Sequence, residues 1–236
     1  MHLVLLPGLD GTGRLFVPFL NELPAGFTTT TVSYPAAEVR SYEELQSDVA
    51  ALLPRDRPYA ILAESFSGPI AIRLAAVAPP NLQALILCAS FAHAPRSGLA
   101  CSLLSAVSRL VFAFPPPDWT VRFFLAGAEA PDELVAACRD AIANVSKSVL
   151  RNRLGQVLAV EARSELASVS VPILYLSGVR DRLVRRESAE AIRKIRPDTV
   201  IVEVDAPHML LQRRPAEAMQ AIVAWLSSRA PPDAGR

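Results

Sequence analysis

Residues 59–70, Tyr-Ala-Ile-Leu-Ala-Glu-Ser-Phe-Ser-Gly-Pro-Ile, join a strand signal to a helix signal with almost nothing between them. The apolar run Tyr59–Ala63 stops at Glu64 and Ser65, a turn of small residues follows, and Ile70, Leu74 and Val77 then recur at helical spacing. The same alternation of short apolar runs with amphipathic segments fills most of the chain. It is the pattern of βαβ units and predicts a mostly parallel sheet buried by helices. The predicted strands are His2–Leu6, Thr29–Tyr34, Tyr59–Ala63, Gln83–Ala89, Pro172–Ser177 and Thr199–Val204.

Helix signals fall between these runs. Ser41-Tyr42-Glu43-Glu44 is a capping-box start, followed by Leu45, Val49, Leu52 and Leu53 on one face. After Pro215, Met219, Ile222, Val223 and Leu226 share a face and predict a closing helix. From about Pro95 to Ser168 no strand-like run occurs, and Pro131-Asp132-Glu133-Leu134 opens a helix with proline and acids in the first turn. The organisation read from this is a core of residues 1–94 and 169–229, a helical insertion over 95–168, and a disordered tail over 230–236. A length of 236 residues suits one domain, or one domain carrying an insertion.

Composition narrows the function classes. A net charge of +1 gives no electrostatic reason to expect nucleic acid or an anionic membrane as partner. Cys88, Cys101 and Cys138 are odd in number and outside metal-ligand spacing, so they read as buried thiols in a reducing compartment, with no metal or cofactor implied. The N-terminal Met1-His2-Leu3-Val4-Leu5-Leu6 lacks a basic flank and is too short for a signal peptide. The apolar stretch Leu99–Phe114 contains Arg109 and falls short of the roughly 20 residues of a membrane span. The expected location is cytoplasmic. Oligomeric state leaves no signal in the sequence.

The strand-to-helix turn at Ser65 suits a nucleophile, because it lifts the hydroxyl above the sheet edge with a helix N-terminus beneath it. A serine hydroxyl is weakly nucleophilic near neutral pH and needs a base. Of the three histidines, His2 opens the first strand and His93 follows the fourth at the insertion boundary. Only His208, in Val204-Asp205-Ala206-Pro207-His208, lies where a loop after the last strand can lean over Ser65. Asp181, in Ser177-Gly178-Val179-Arg180-Asp181 past the fifth strand, is the carboxylate expected to orient the imidazole, with Gly178 allowing a sharp turn. Its competing reading is a surface ion pair with Arg180, Arg182 or Arg185, and Asp205 is too near His208 in sequence to serve better. The glycine-rich Pro7-Gly8-Leu9-Asp10-Gly11-Thr12-Gly13 after the first strand lets backbone approach a ligand; Leu9 would supply one oxyanion-binding N–H and Phe66 the other.

With those parts in the order Ser65, Asp181, His208, the chain resembles the α/β-hydrolase-fold serine hydrolases over nearly its whole length. The Asp10-Gly11-Thr12-Gly13 stretch is also locally similar to plastid esterase/lipase/thioesterase-type proteins, some of which are phytyl ester synthases. The resemblance implies an α/β-hydrolase fold with the insertion as a helical cap after the fourth strand. Three features depart from the family: Pro7-Gly8 stands where His-Gly is common, Ala63 and Ser67 replace the outer glycines of G-x-S-x-G, and the N-terminal antiparallel hairpin is missing. Either the sheet is trimmed or the chain start is late.

Other residues have competing roles. Ser67 is a rival nucleophile that would sit inside the helix. Glu64 is expected to make structural hydrogen bonds, and Trp119 with Phe123-Phe124 to form cap core. Asp10 is read as a turn former and His93 as a pocket-wall residue; with Phe112 and Phe114 they are the candidate substrate contacts. Leu103, Leu104, Val107, Leu110 and Val111 would make an apolar pocket over Ser65 or bury against one another. The expected activity is hydrolysis of a small-molecule carboxylic ester or thioester with a hydrophobic acyl or alcohol part. The alternatives are an acyltransferase with the same residues, a hydrolase of another bond type, and a non-catalytic binding protein.

Overall fold

A computed structural model describes residues 1–94 and 116–229. Phe112, Phe114, the apolar stretch 99–114 and the tail 230–236 lie outside the described residues. Among the described residues six strands form one sheet: β1 (His2–Leu6), β2 (Thr28–Thr31), β3 (Tyr59–Glu64), β4 (Leu82–Cys88), β5 (Ile173–Gly178) and β6 (Val200–Val204). Their order is β2-β1-β3-β4-β5-β6 and every pairing is parallel.

The strands alternate between two buried faces. Val4, Leu6, Ile61, Ala63, Leu85, Leu87, Ile173 and Tyr175 face one core, covered by α1 (Tyr42–Leu52), α2 (Gly68–Ala76) and neighbouring helices. Leu3, Leu5, Ala60, Leu62, Ala84, Ile86, Leu174 and Leu176 face the other, which holds Phe16, Phe19 and the apolar stripe of the C-terminal helix Pro215–Ser227. A sheet buried on both sides requires continuous apolar strands, which explains why β3 and β4 lack polar alternation. α1 begins with the expected capping box: Ser41 accepts from the Glu44 amide while the Glu44 carboxylate accepts from the Ser41 amide.

β2 ends at Thr31, short of the predicted Tyr34. It is an edge strand; after Val32 N–H bonds to the Leu5 carbonyl, the chain turns Tyr34 into the core beside Phe66.

Between β4 and β5 the described chain is helical. A short turn at Asp118–Thr120 runs into a wide, π-type turn at Val121–Ala126, followed by α3 (Asp132–Ala143), α4 (Lys147–Ala159) and α5 (Arg163–Ser168). The end of this excursion is stitched to the residues after β4: Ala94 N–H bonds to the Val160 carbonyl at 3.0 Å and Ala162 N–H to the Ala92 carbonyl at 2.8 Å. α6 (Arg186–Ile195) then links β5 to β6, and α7 (Pro215–Ser227) closes the chain. No described helix is long and apolar enough to cross a membrane.

The aromatic pair was expected in the cap core, and the structure corrects this. Trp119 is 66% exposed and Phe123 50%, while Val121 and Ala126 point inward. The wide turn puts Val121 and Ala126, five residues apart, on its buried side and leaves Phe123 and Phe124 between them facing solvent. Phe123 instead stacks under the Arg182 guanidinium, 4.0 Å from the ring centroid.

Candidate active site

Ser65 follows directly on the last residue of β3, with φ of 49°. That left-handed conformation is costly for a residue with a side chain, about 1–3 kcal/mol, and persists only where neighbours hold it. Here they do. The Ser90 hydroxyl donates to the Ser65 carbonyl at 2.6 Å, and the Tyr42 hydroxyl donates to the Phe66 carbonyl at 3.0 Å. The Phe66 ring stacks on Tyr42 with centroids 4.8 Å apart.

The elbow tolerates Ala63 and Ser67 because both are fully buried and small. The glycine it cannot replace is Gly68, where a Cβ would fall 1.8 Å from Ser90 Oγ.

Ser67 is not available as a nucleophile. Its side chain is wholly buried, its hydroxyl donates to the Pro7 carbonyl, and it accepts from the Tyr34 hydroxyl at 2.6 Å. This serine ties the elbow to the glycine-rich loop, a role the sequence does not reveal.

His208 and Asp181 meet Ser65 at the carboxyl ends of the strands. His208 Nε2 is 3.0 Å from Ser65 Oγ, and His208 Nδ1 is 2.8 Å from Asp181 Oδ2. The other Asp181 oxygen accepts from the amides of Leu183 at 2.8 Å and Val184 at 2.9 Å, so the carboxylate is fixed at both ends. The surface ion-pair reading of Asp181 falls away, since Arg180 pairs with Asp205 at 2.7 Å.

Gly178 opens the expected turn, with the Asp181 N–H bonding to its carbonyl at 3.0 Å, and it also serves this meeting by close approach. A Cβ there would lie 2.7 Å from the carbonyls of Ala206 and Pro207, the two residues before His208. The histidine loop is also held from the insertion, by Met209 N–H on the Leu125 carbonyl at 3.0 Å.

Burial alone would lower the His208 pKa. The charge of Asp181, its hydrogen bond and the nearby Glu64 carboxylate overcome that, and the net shift is upward. Glu64 itself is buried beneath the site, where desolvation raises its pKa to about 7 against the opposing Gln212 hydrogen bond and His208 charge. Gln212 Nε2 donates to Glu64 Oε1 at 3.0 Å. The predicted structural role of Glu64 matches this contact.

Asp10 forms the expected turn: its Oδ2 accepts from Thr12 N–H at 2.8 Å and from the Thr12 hydroxyl at 2.5 Å. His93 is half-buried, bonds to the Ala94 carbonyl and pairs with Glu161 across the mouth of the insertion, making no hydrogen bond to the other candidates among the described residues. Leu9 and Phe66 sit on the two segments beside Ser65. The Phe66 N–H belongs to the first turn of a helix, where amides lack an intrahelical acceptor. Among the described residues no group of His, Cys, Asp and Glu has the arrangement of a metal site.

Sequence reasoning missed Ser90, Tyr34, Gln212 and Arg153. For Arg153 a signal exists: Val149, Leu150 and Arg153 form the buried stripe of α4, so an arginine occupies a core position.

The sequence matches the Alpha/beta hydrolase family over residues 3–221, and the chain belongs to that family. No curated protein matches it. Its fold is similar to that of the bromoperoxidase from Bacillus anthracis, with TM-score 0.82 and 17% identity over 96% of this chain and 91% of that one. A thermophilic esterase from Thermogutta terrifontis gives TM-score 0.81 and 22% identity over 97% and 90%. The enol-lactonase from Burkholderia xenovorans LB400 gives 0.78 and 19% over 96% and 91%. At these identities the likeness extends to the fold alone.

Proposed function

We propose that the protein is a serine esterase acting on a carboxylic ester or thioester with a hydrophobic acyl or alcohol part. One observation carries the reading: the unbroken hydrogen-bonded line from Asp181 through His208 to Ser65, with the serine held in a left-handed turn at a strand end. His208 Nε2 takes the Ser65 proton as Oγ attacks the substrate carbonyl. The developing oxyanion is received by the amides of Leu9 and Phe66. Asp181 holds the imidazole with its Nδ1–H toward the carboxylate and stabilises the imidazolium. The imidazolium protonates the leaving alcohol or thiol. Water, deprotonated by the same histidine, then releases the acid from Ser65. Family membership supports hydrolase chemistry, and the titles of the structural neighbours include an esterase and an enol-lactonase.

The reading is tested by labelling with a fluorophosphonate and by assaying activated esters of increasing acyl length, with and without a long-chain alcohol. Labelling of the wild type but not of Ser65→Ala, with free acid as product, supports it. Equal labelling of both proteins overturns the nucleophile, and ester product in place of acid makes the enzyme an acyltransferase.

A further inference from the structure

Arg153 is 2% exposed, on a helix of the insertion, and its partners are backbone carbonyls rather than a carboxylate. Nη1 donates to the Leu9 carbonyl at 2.9 Å and the Asp10 carbonyl at 2.7 Å, and Nη2 donates to the Pro35 carbonyl at 3.0 Å. Its guanidinium carbon lies 5.6 Å from the Tyr34 ring centroid and 6.0 Å from that of Phe66. Among the described residues it forms no ion pair, the nearby Asp10 carboxylate being turned to Thr12. A buried cation without a counterion is expensive, and an apolar residue of similar volume is commonly as stable or more so. Its presence calls for something other than stability.

The loop it grips is the one that carries Leu9. The Gly8 carbonyl is taken by the Gly11 N–H at 3.0 Å, and in a trans peptide the Leu9 N–H must point away from that bond. The flanking peptides are fixed in turn, the Pro7 carbonyl by Ser67 and the Leu9 and Asp10 carbonyls by Arg153. Gly11 makes room for the guanidinium, since a Cβ there would fall 2.4 Å from Nη1. One side chain thus touches both residues whose amides are the oxyanion donors of the proposed mechanism. It holds Leu9 by its carbonyl and lies against Phe66 at its ring.

We infer that Arg153 is a positioning residue of the oxyanion site: it sets the direction of the Leu9 amide and places a fixed positive charge behind the loop that receives the developing negative oxygen. The inference rests on the esterase reading above. It also makes the insertion part of the catalytic apparatus, because the helix bearing Arg153 lies 144 residues from Leu9 in sequence. Lysine cannot replace it, as a single ammonium on a flexible stem does not span a fan of three carbonyls.

The test compares wild type, Arg153→Lys and Arg153→Met, each normalised to titrated Ser65 sites. Steady-state constants for a short activated ester are measured, together with inhibition by a trifluoromethyl ketone, which forms a tetrahedral oxyanion adduct, and by the unreactive amide of the same acid. The expected result for both variants is a kcat lower by roughly 10- to 100-fold with little change in KM. Trifluoromethyl ketone inhibition should weaken in parallel while amide binding is unchanged. Wild-type kcat and ketone affinity in a folded variant, or a loss confined to KM, would overturn the inference. If Arg153→Met does not fold, Arg153→Lys decides alone. A wild type that forms no ketone adduct would instead remove the esterase reading itself, which keeps the two failures apart.

Discussion

The Ser90 hydroxyl donates to the carbonyl of Ser65 while occupying the space in which Gly68 would carry a Cβ. The strained elbow is therefore held from the neighbouring strand end, where Ala89 is itself left-handed with φ of 46°. Gly68→Ala should overpack this contact and destabilise the fold by about 1–3 kcal/mol, with most activity lost. Ser90→Gly alone should cost about 1 kcal/mol through the missing hydrogen bond. Since each removes the reason for the other, the double variant should be more stable than the sum of the two single losses. Denaturant unfolding of all four proteins checks this coupling; strict additivity would contradict it.

The acid limb of the rate profile should report His208. The imidazole must be neutral to take the serine proton, and its pKa lies above the ordinary 6.5, so kcat/KM should fall as pH drops through a value above 6.5. Glu64→Gln removes one of the charges that raise it. The midpoint of the limb should then move to lower pH, as a pH–rate series would show.

The same variant has a separate effect on stability. Burial raises Glu64 from 4.5 to about 7, so the native state binds its proton more tightly than the unfolded chain does. Its contribution is intact below about pH 4.5 and is lost as pH rises toward 7, a change of about 3 kcal/mol or less. Glutamine at this position carries no charge to desolvate at any pH. Thermal unfolding at pH 5 and pH 8 should show Glu64→Gln gaining relative to wild type only at the higher pH.

Asp181 and Asp205 offer a direct contrast. Asp181→Asn removes the acceptor that fixes the His208 tautomer, and kcat should fall by about 10³- to 10⁴-fold with the fold kept. Asp205 is exposed and paired with Arg180, so Asp205→Asn should leave kcat near wild type. A matched pair of kinetic assays separates them.

What could be read from the sequence had local carriers. β3, the turn at Ser65 and α2 are adjacent in the chain, and the loops bearing Asp181 and His208 each follow an apolar strand directly. Ser90, Gln212 and Arg153 act instead through contacts made only when distant elements pack, Ser90 with Ser65 and Arg153 with Leu9. Gly178 was legible as the start of a turn, yet its second role, the approach of the Ala206–Pro207 backbone, belongs to tertiary structure. Phe123 and Phe124 misled because large aromatic side chains suggest burial, whereas the π-type turn that carries them buries Val121 and Ala126 instead.

In the proposed mechanism Ser65 carries the acyl group. Intact-mass spectrometry after rapid acid quench of the enzyme with an excess of an activated medium-chain ester tests it most directly. An added mass of one acyl group, mapped to the peptide containing Ser65, present in Ser67→Ala and absent in Ser65→Ala, is the predicted result. Turnover with no adduct on that peptide, or an adduct that survives in Ser65→Ala, would contradict it.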